Sequence, residues 1–303
     1  MMKLYENCNE PADPPYTFPV KKLLLILSLF IASCTSRTAT TEKKNDTTAV
    51  VTDLSRQSVD AILRCVNDQS AAACSLLGEG SITLSDGSSS QSGHFELKSK
   101  RLQNPNEPQR IDSLSLVVTG PFGITGAKFL GSPEEYHFYD AIDGGEYHGR
   151  PDPKTLQSLT GMKGLTLQSL SDVIYGLPPN AAELAPADSA FVKSESDYRH
   201  ILYIYRAAAH TTEAITLAGK LPQNPNEKAK LAIVEYDRWN NYPLQSSTTK
   251  PDITITYDGL FEKKDFTLPN YIKATSGSTT LEIEYTGATQ NPKDLTVKIK
   301  MPN

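Results

Sequence analysis

Apolar residues recur along this chain at two spacings, and each spacing marks a different kind of element. Val59, Ile62, Leu63 and Val66 fall three or four apart behind Asp53 or Ser55, either of which can cap a helix start, so the segment predicts an amphipathic helix. Beyond Gly78 and Gly80 the period drops to two. Phe95 and Leu97 alternate with polar neighbours, as do Leu114, Leu116 and Val118 against Ser113 and Ser115. The C-terminal part repeats the habit at Ile253, Ile255 and Tyr257, at Leu281, Ile283 and Tyr285, and at Leu295, Val297 and Ile299. Each predicts a strand with one apolar and one polar face. Asp86-Gly87, Asp143-Gly144 and Asp258-Gly259 supply turn signals between several of them.

A helical interruption separates the two β-rich parts. Leu167, Leu170, Val173 and Ile174 form one apolar stripe, stopped by Gly176 and Pro178-Pro179. Residues from Ala181 to Ser196 read as an exposed loop, and strands resume from Ile201 to Tyr205. The sequence QNPNE occurs twice, at Gln103 to Glu107 and at Gln223 to Glu227, each just ahead of a strand. Asn-Pro turn chemistry accounts for both without an internal repeat. About ten one-sided strands with a few helices predict a mainly β fold built on a single curved antiparallel sheet. Its concave face either packs against the helices or leaves a cavity.

The N-terminal region follows a different logic. Lys21 and Lys22 precede an apolar run from Leu23 to Ile31, and Ala32-Ser33-Cys34 closes it. A positive start, an apolar core too short to span a bilayer and a small-residue cleavage site form a secretory signal. The cysteine at the cleavage point resembles a lipobox, which predicts a mature chain that begins at Cys34 and is held to a membrane by acyl chains. The residues before Lys21 include Cys8, several prolines and acidic side chains and do not suit a signal, so translation is expected to start at about Val20. Residues 1–33 are therefore set aside as extension plus signal, and 34–52, rich in Thr, Lys, Asp and Glu, read as a flexible tether. Residues 53–303 remain as one domain.

Charge and cysteine count narrow the function classes. The formal net charge of -5 offers no basic field for nucleic acid. Beyond the signal no apolar run is long enough to cross a bilayer, which leaves membrane holding to the acyl anchor. Cys65 and Cys74 are the thiols left after processing. An oxidising compartment would allow a bond between them, but one helix carrying both would set them ~13 Å apart, beyond disulfide reach, so two small buried hydrophobes are favoured over a bridge.

Catalytic signatures are sparse. His94, His137, His148, His200 and His210 lack two-ligand helical spacing, and there is no G-x-S-x-G elbow or phosphate-binding loop. The densest polar group is His137, Asp140, Asp143, Glu146 and His148. A hairpin would bring His137 near His148, but a solvated hairpin explains the same residues without chemistry. The expectation is no enzyme, no cofactor and no metal.

Two stretches resemble one family. Leu159 to Pro178, LTGMKGLTLQSLSDVIYGLP, is similar to a segment of LolB, the outer-membrane lipoprotein that receives other lipoproteins. Upstream, Leu116 to Gly123 resembles that family's apolar strand running into a turn of proline, an apolar residue and glycine. The order of lipobox, tether, helix, strands, turn, strands, lid helix and strands agrees over roughly Cys34 to Asp258. An uncharacterised lipoprotein family grouped with LolA and LolB fits equally well.

The resemblance implies an incomplete β-barrel with helices covering an apolar cavity that holds acyl chains. It places Phe122 where LolB carries a protruding leucine that pushes incoming lipoproteins into the membrane. Phe95, Leu114, Leu116 and Val118 would line the cavity, and Leu167, Leu170 and Ile174 would close it. The implied partners are lipid-modified proteins or other amphiphiles, a periplasmic LolA-like carrier, and the outer membrane, contacted through acyl chains on Cys34. Thr35 and Ser36 lack the aspartate that in some bacteria retains lipoproteins in the inner membrane, which favours the outer membrane. Two other functions suit the same sequence: a carrier for another amphiphile such as a glycolipid, and an envelope scaffold that binds no lipid.

Overall fold

A computed structural model describes residues 56–102, 110–142, 144–184, 189–222, 227, 230–240, 249–263 and 266–298. The order is α1 (Arg56–Ala72), β1 (Ser75–Ser85), β2 (Ser90–Leu102), β3 (Arg110–Thr119), β4 (Thr125–Gly131), β5 (Tyr136–Asp140) and β6 (Gly145–Gly149). Then come α2 (Pro153–Thr160), α3 (Leu167–Ile174), β7 (Ser189–Ser196), β8 (Arg199–Arg206), β9 (Thr211–Lys220), β10 (Lys230–Asn240), β11 (Ile253–Lys263), β12 (Phe266–Ser276) and β13 (Thr279–Gln290).

Among the described residues, thirteen strands form one curved sheet in the order β6-β5-β4-β3-β2-β1-β13-β12-β11-β10-β9-β8-β7. Every neighbour pair is antiparallel, and every pair but β1–β13 joins strands consecutive in sequence. The sheet does not close: β6 and β7, consecutive in the chain, stand at its opposite edges. The segment between them, carrying α2 and α3, therefore has to travel from one edge to the other. It does so against the apolar face, where antiparallel alternation has already turned one row of side chains inward.

That row and the helices make one continuous core. It runs from Ile62 and Val66 of α1 through Leu76, Phe95, Leu97 and Leu114 to Ile204, Ile215, Ile255, Ile272 and Ile283. Tyrosines fasten the helical segment to the sheet. Tyr285 Oη donates to the carbonyl of Ile174 at 3.0 Å, Tyr257 Oη to that of Leu177 at 2.6 Å, and Tyr175 Oη reaches back to Ser99 at 3.3 Å. The first meets the carbonyls that a helix end leaves without partners. Gly176, at φ 73, ends α3, and a Cβ there would come within 2.3 Å of Pro269. Backbone conformation and close packing thus require the same glycine.

Several sequence expectations change. α3 presents more than one buried stripe: Ser169, Ser171 and Asp172 are buried with Leu167, Val173 and Ile174, because the helix is enclosed on nearly every side, and Leu170 is half-buried. The stretch expected as an exposed loop contains buried Ala181 and Leu184 and the edge strand β7, whose single buried residue, Val192, gives no alternation to read. Asp258-Gly259 lies inside β11 rather than between strands, with Gly259 at φ 61 where a Cβ would strike Asn270. Residues Leu295 to Lys298 are not a strand. β13 already has β1 and β12 on its two sides, and Asn291 ends it by accepting from the amides of Cys74 and Ser75 and donating to Ala72 O. Alternation without a free neighbour makes no ladder.

The cysteines do not share a helix: α1 stops at Ala72, and the two are not joined in a disulfide, Cys65 being buried and Cys74 half-buried. Residues 1–55, Asp143, Ile299 and all of both QNPNE segments except Glu227 lie outside the described residues.

Candidate functional site: an uncovered apolar corner

In antiparallel strands, directly opposed residues share a face. Leu97 opposes Leu116, Leu116 opposes Phe129, Phe129 opposes Phe138, and Phe138 opposes Tyr147. One apolar row thus crosses five strands from β2 to β6 on the concave face. Its exposure is graded: Leu97 is 1% exposed, Leu116, Phe129 and Phe138 are half-buried, and Tyr147 at the edge is 49% exposed. The parallel row Phe95, Val118, Ala127 begins buried and likewise becomes half-buried.

The row at the opposite end, Leu114, Gly131, Tyr136, stays buried throughout. There α3 leans on the sheet. A Cβ on Gly131 would come within 3.0 Å of Leu167 Cδ2, so the missing side chain lets the helix approach. Cover ends beyond that point, and the corner between β3 and β6 carries apolar side chains with nothing packed fully over them. Phe129 and Tyr136 stack at 6.4 Å, and Phe138 and Tyr147 lie 6.1 Å apart. An aromatic wall with few polar anchors suits a hydrocarbon chain, for which each methylene removed from water is worth ~0.8 kcal/mol.

Of the residues named for the cavity and its closure, Phe95, Leu114, Leu167 and Ile174 lie within the buried core, and Leu116, Val118 and Leu170 pack against its margin with partial exposure. The structure brings five of them together: Phe95, Leu114, Leu116 and Val118 share one face, and Leu167 lies beside it at Gly131. Phe129, Phe138 and Tyr147 were not singled out from the sequence. Strands β4 and β5 are half-buried on both faces, so neither shows the contrast that alternation needs.

At the tip of the β3–β4 hairpin, Phe122 is 99% exposed and holds φ 63, ψ 18, followed by Gly123 at φ 72. Two left-handed residues in succession form the tight turn that Asn-Gly usually supplies. For a bulky aromatic the left-handed region costs ~1–2 kcal/mol, and its ring gains nothing from burial here. Folding therefore gives no reason for phenylalanine at this position. Ile124, 68% exposed, continues the same tip.

A buried ion pair secures the helix that borders the corner. Arg101 of β2 and Asp172 of α3 meet as a salt bridge with both side chains essentially inaccessible. Arg101 also lies 4.3 Å over the Tyr175 ring, and the Asp172 carboxylate accepts from Ala181 N and Gln168 Nε2. Burial pushes the Asp172 pKa up to about 6, and Arg101 and the amide donors hold it from rising further. Burial likewise pushes the Tyr175 phenol up to about 12. The sequence signal was an acidic residue inside an apolar helix, with no indication of its partner 71 positions away.

His137 and His148 are directly opposed, with rings 6.0 Å apart, on the sheet face away from the apolar row. Glu135 Oε2 lies 3.8 Å from His137 Nε2. Among the described residues no group of three or more His, Cys, Asp or Glu side chains is arranged to hold a metal ion. No described helix is long and apolar enough to cross a membrane.

No protein-family model and no curated protein matches this chain. Solved structures do resemble it. A DUF1329 family protein from Desulfovibrio piger superimposes with a TM-score of 0.53 at 9% identity, covering 79% of this chain and 93% of that one. The two share a fold. A structure described as an outer membrane lipoprotein-sorting protein domain from Vibrio parahaemolyticus gives a TM-score of 0.46 at 10% identity, over 77% of this chain and 93% of its own. A LolA superfamily protein from Nitrosomonas europaea gives 0.41 at 8%, over 77% and 94%.

Proposed function

We propose that this chain is an outer-membrane lipoprotein that binds the acyl chains of other lipoproteins and assists their insertion. In this reading Cys34 carries the anchor, residues 34–52 are the tether, and the domain from residue 53 onward receives cargo from a periplasmic LolA-like carrier without any bond-making chemistry. Phe122 carries the proposal. A fully exposed aromatic, held in a conformation that disfavours it, is accounted for by contact with something apolar outside the protein. The half-exposed row from Leu116 to Tyr147 begins on the same hairpin and gives acyl chains a surface to follow.

Depletion tests the role. Without the protein, other lipoproteins should accumulate short of the outer membrane, and Phe122→Glu should fail to restore them. Normal outer-membrane delivery in depleted cells would sink the proposal. A carrier of another amphiphile would use the same apolar row, and mass spectrometry of gently purified protein separates the two by what co-elutes. The scaffold reading draws on one observation, the continuous packing beneath α3. It requires that no amphiphile co-elutes at all.

A further inference from the structure

A second apolar turn stands beside the first. Ile142, between β5 and β6, is 73% exposed. Its amide donates to Asp140 Oδ1 at 2.9 Å, and the amide of Ala141 donates to Gly126 O at 2.9 Å. The latter bond ties this turn to the start of β4, two residues beyond Ile124. Phe122, Ile124 and Ile142 thus project from the same end of the sheet, on two turns joined by a backbone bond. From Gly120 to Ala127 there is no charged residue, and the charges flanking Ile142 are acidic, Asp140 and Asp143.

We infer that Ile142 and the Phe122–Ile124 tip form one two-turn membrane-docking surface, which sets the uncovered corner facing the hydrocarbon of the bilayer. This deepens the proposed function and rests on its lipid anchor. The occupant is a lipid bilayer because of what precedes the domain. Thr35 to Ser55 separate Cys34 from α1, a length that reaches ~70 Å at full extension. An anchored domain on such a tether meets the bilayer at high effective concentration, so a weak apolar contact suffices to orient it. The local charge is neutral to acidic, so the contact is hydrophobic and gains nothing from anionic headgroups.

The test uses the full acylated chain in phosphatidylcholine vesicles with brominated acyl chains. Trp239→Phe removes the native tryptophan, and Phe122→Trp or Ile142→Trp is added singly; both sites are exposed, and far-UV circular dichroism checks that each variant is folded. Blue-shifted, quenched emission from both positions supports the inference, as does about tenfold weaker binding of a non-acylated Ile142→Ser chain to the same vesicles. Quenching at 122 with water-like emission at 142 overturns the two-turn surface and leaves the proposed function standing. Water-like emission at both overturns the surface and removes the membrane role of Phe122 as well. Binding that appears only with anionic lipid also overturns it.

Discussion

The covered part of the sheet and the β4–β6 wing are built from the same kind of strand and differ in what lies over them. In β8 and the first part of β13, every second residue is buried and its neighbours are half-buried or exposed, because α1, α3 and their connections seal one face. In β4 and β5 both faces are half-buried. The wing keeps the apolar side chains of a core without the second layer that makes a core. A sheet normally buries its apolar face against another element. The wing's apolar face is only half-covered at the sheet edge and ends in an exposed phenylalanine and isoleucine, and in the proposed function this is where lipid completes it.

The largest effect that would sharpen this contrast lies in the covered half. Arg101→Ala leaves Asp172 as an uncompensated buried charge and should cost ~3–5 kcal/mol in urea unfolding, whereas Arg101→Met with Asp172→Leu should recover most of it. Next, Leu97→Ala should cost ~2–5 kcal/mol and Phe138→Ala, in the same row, only ~1 kcal/mol. Equal losses would mean that the wing is as enclosed as the core.

The pH dependence is smaller and has a definite sign. Burial raises the folded pKa of Asp172 to about 6, above its unfolded value near 3.8. Between these values the folded state binds more protons, so the group's contribution is fully present below about pH 4 and is lost as pH rises through about 6. Wild type should therefore lose stability relative to Asp172→Asn between about pH 4 and 6, read from denaturation midpoints. The smallest effect is at the tip. Phe122→Asn relieves the left-handed strain and should leave stability unchanged or raise it by up to ~1 kcal/mol while lipoprotein delivery falls. A large destabilisation there would mean that Phe122 has a structural role.

How much of this was legible follows from what is local. The alternations at Leu114 to Val118 and at Leu281 to Tyr285, and the spacing of Val59 to Val66, report which face of an element is apolar, and each became the expected strand or helix. The Pro-Phe-Gly turn was legible through the family resemblance, which rests on adjacent residues, Leu116 to Gly123. β7 was missed because an edge strand with one buried residue has no period. The segment from Leu295 to Lys298 was overread because its period needs a neighbour that β13 does not have free. From sequence alone, then, came a mainly β chain with a helical insertion, and the resemblance at Leu116 to Gly123 added an apolar hairpin tip. The tertiary structure alone decided that β6 and β7 stand at opposite edges, that Arg101 meets Asp172, and that α3 covers the wing only at its Gly131 end. Each of these depends on register and cover between residues far apart in the chain, and local periodicity carries no information about either.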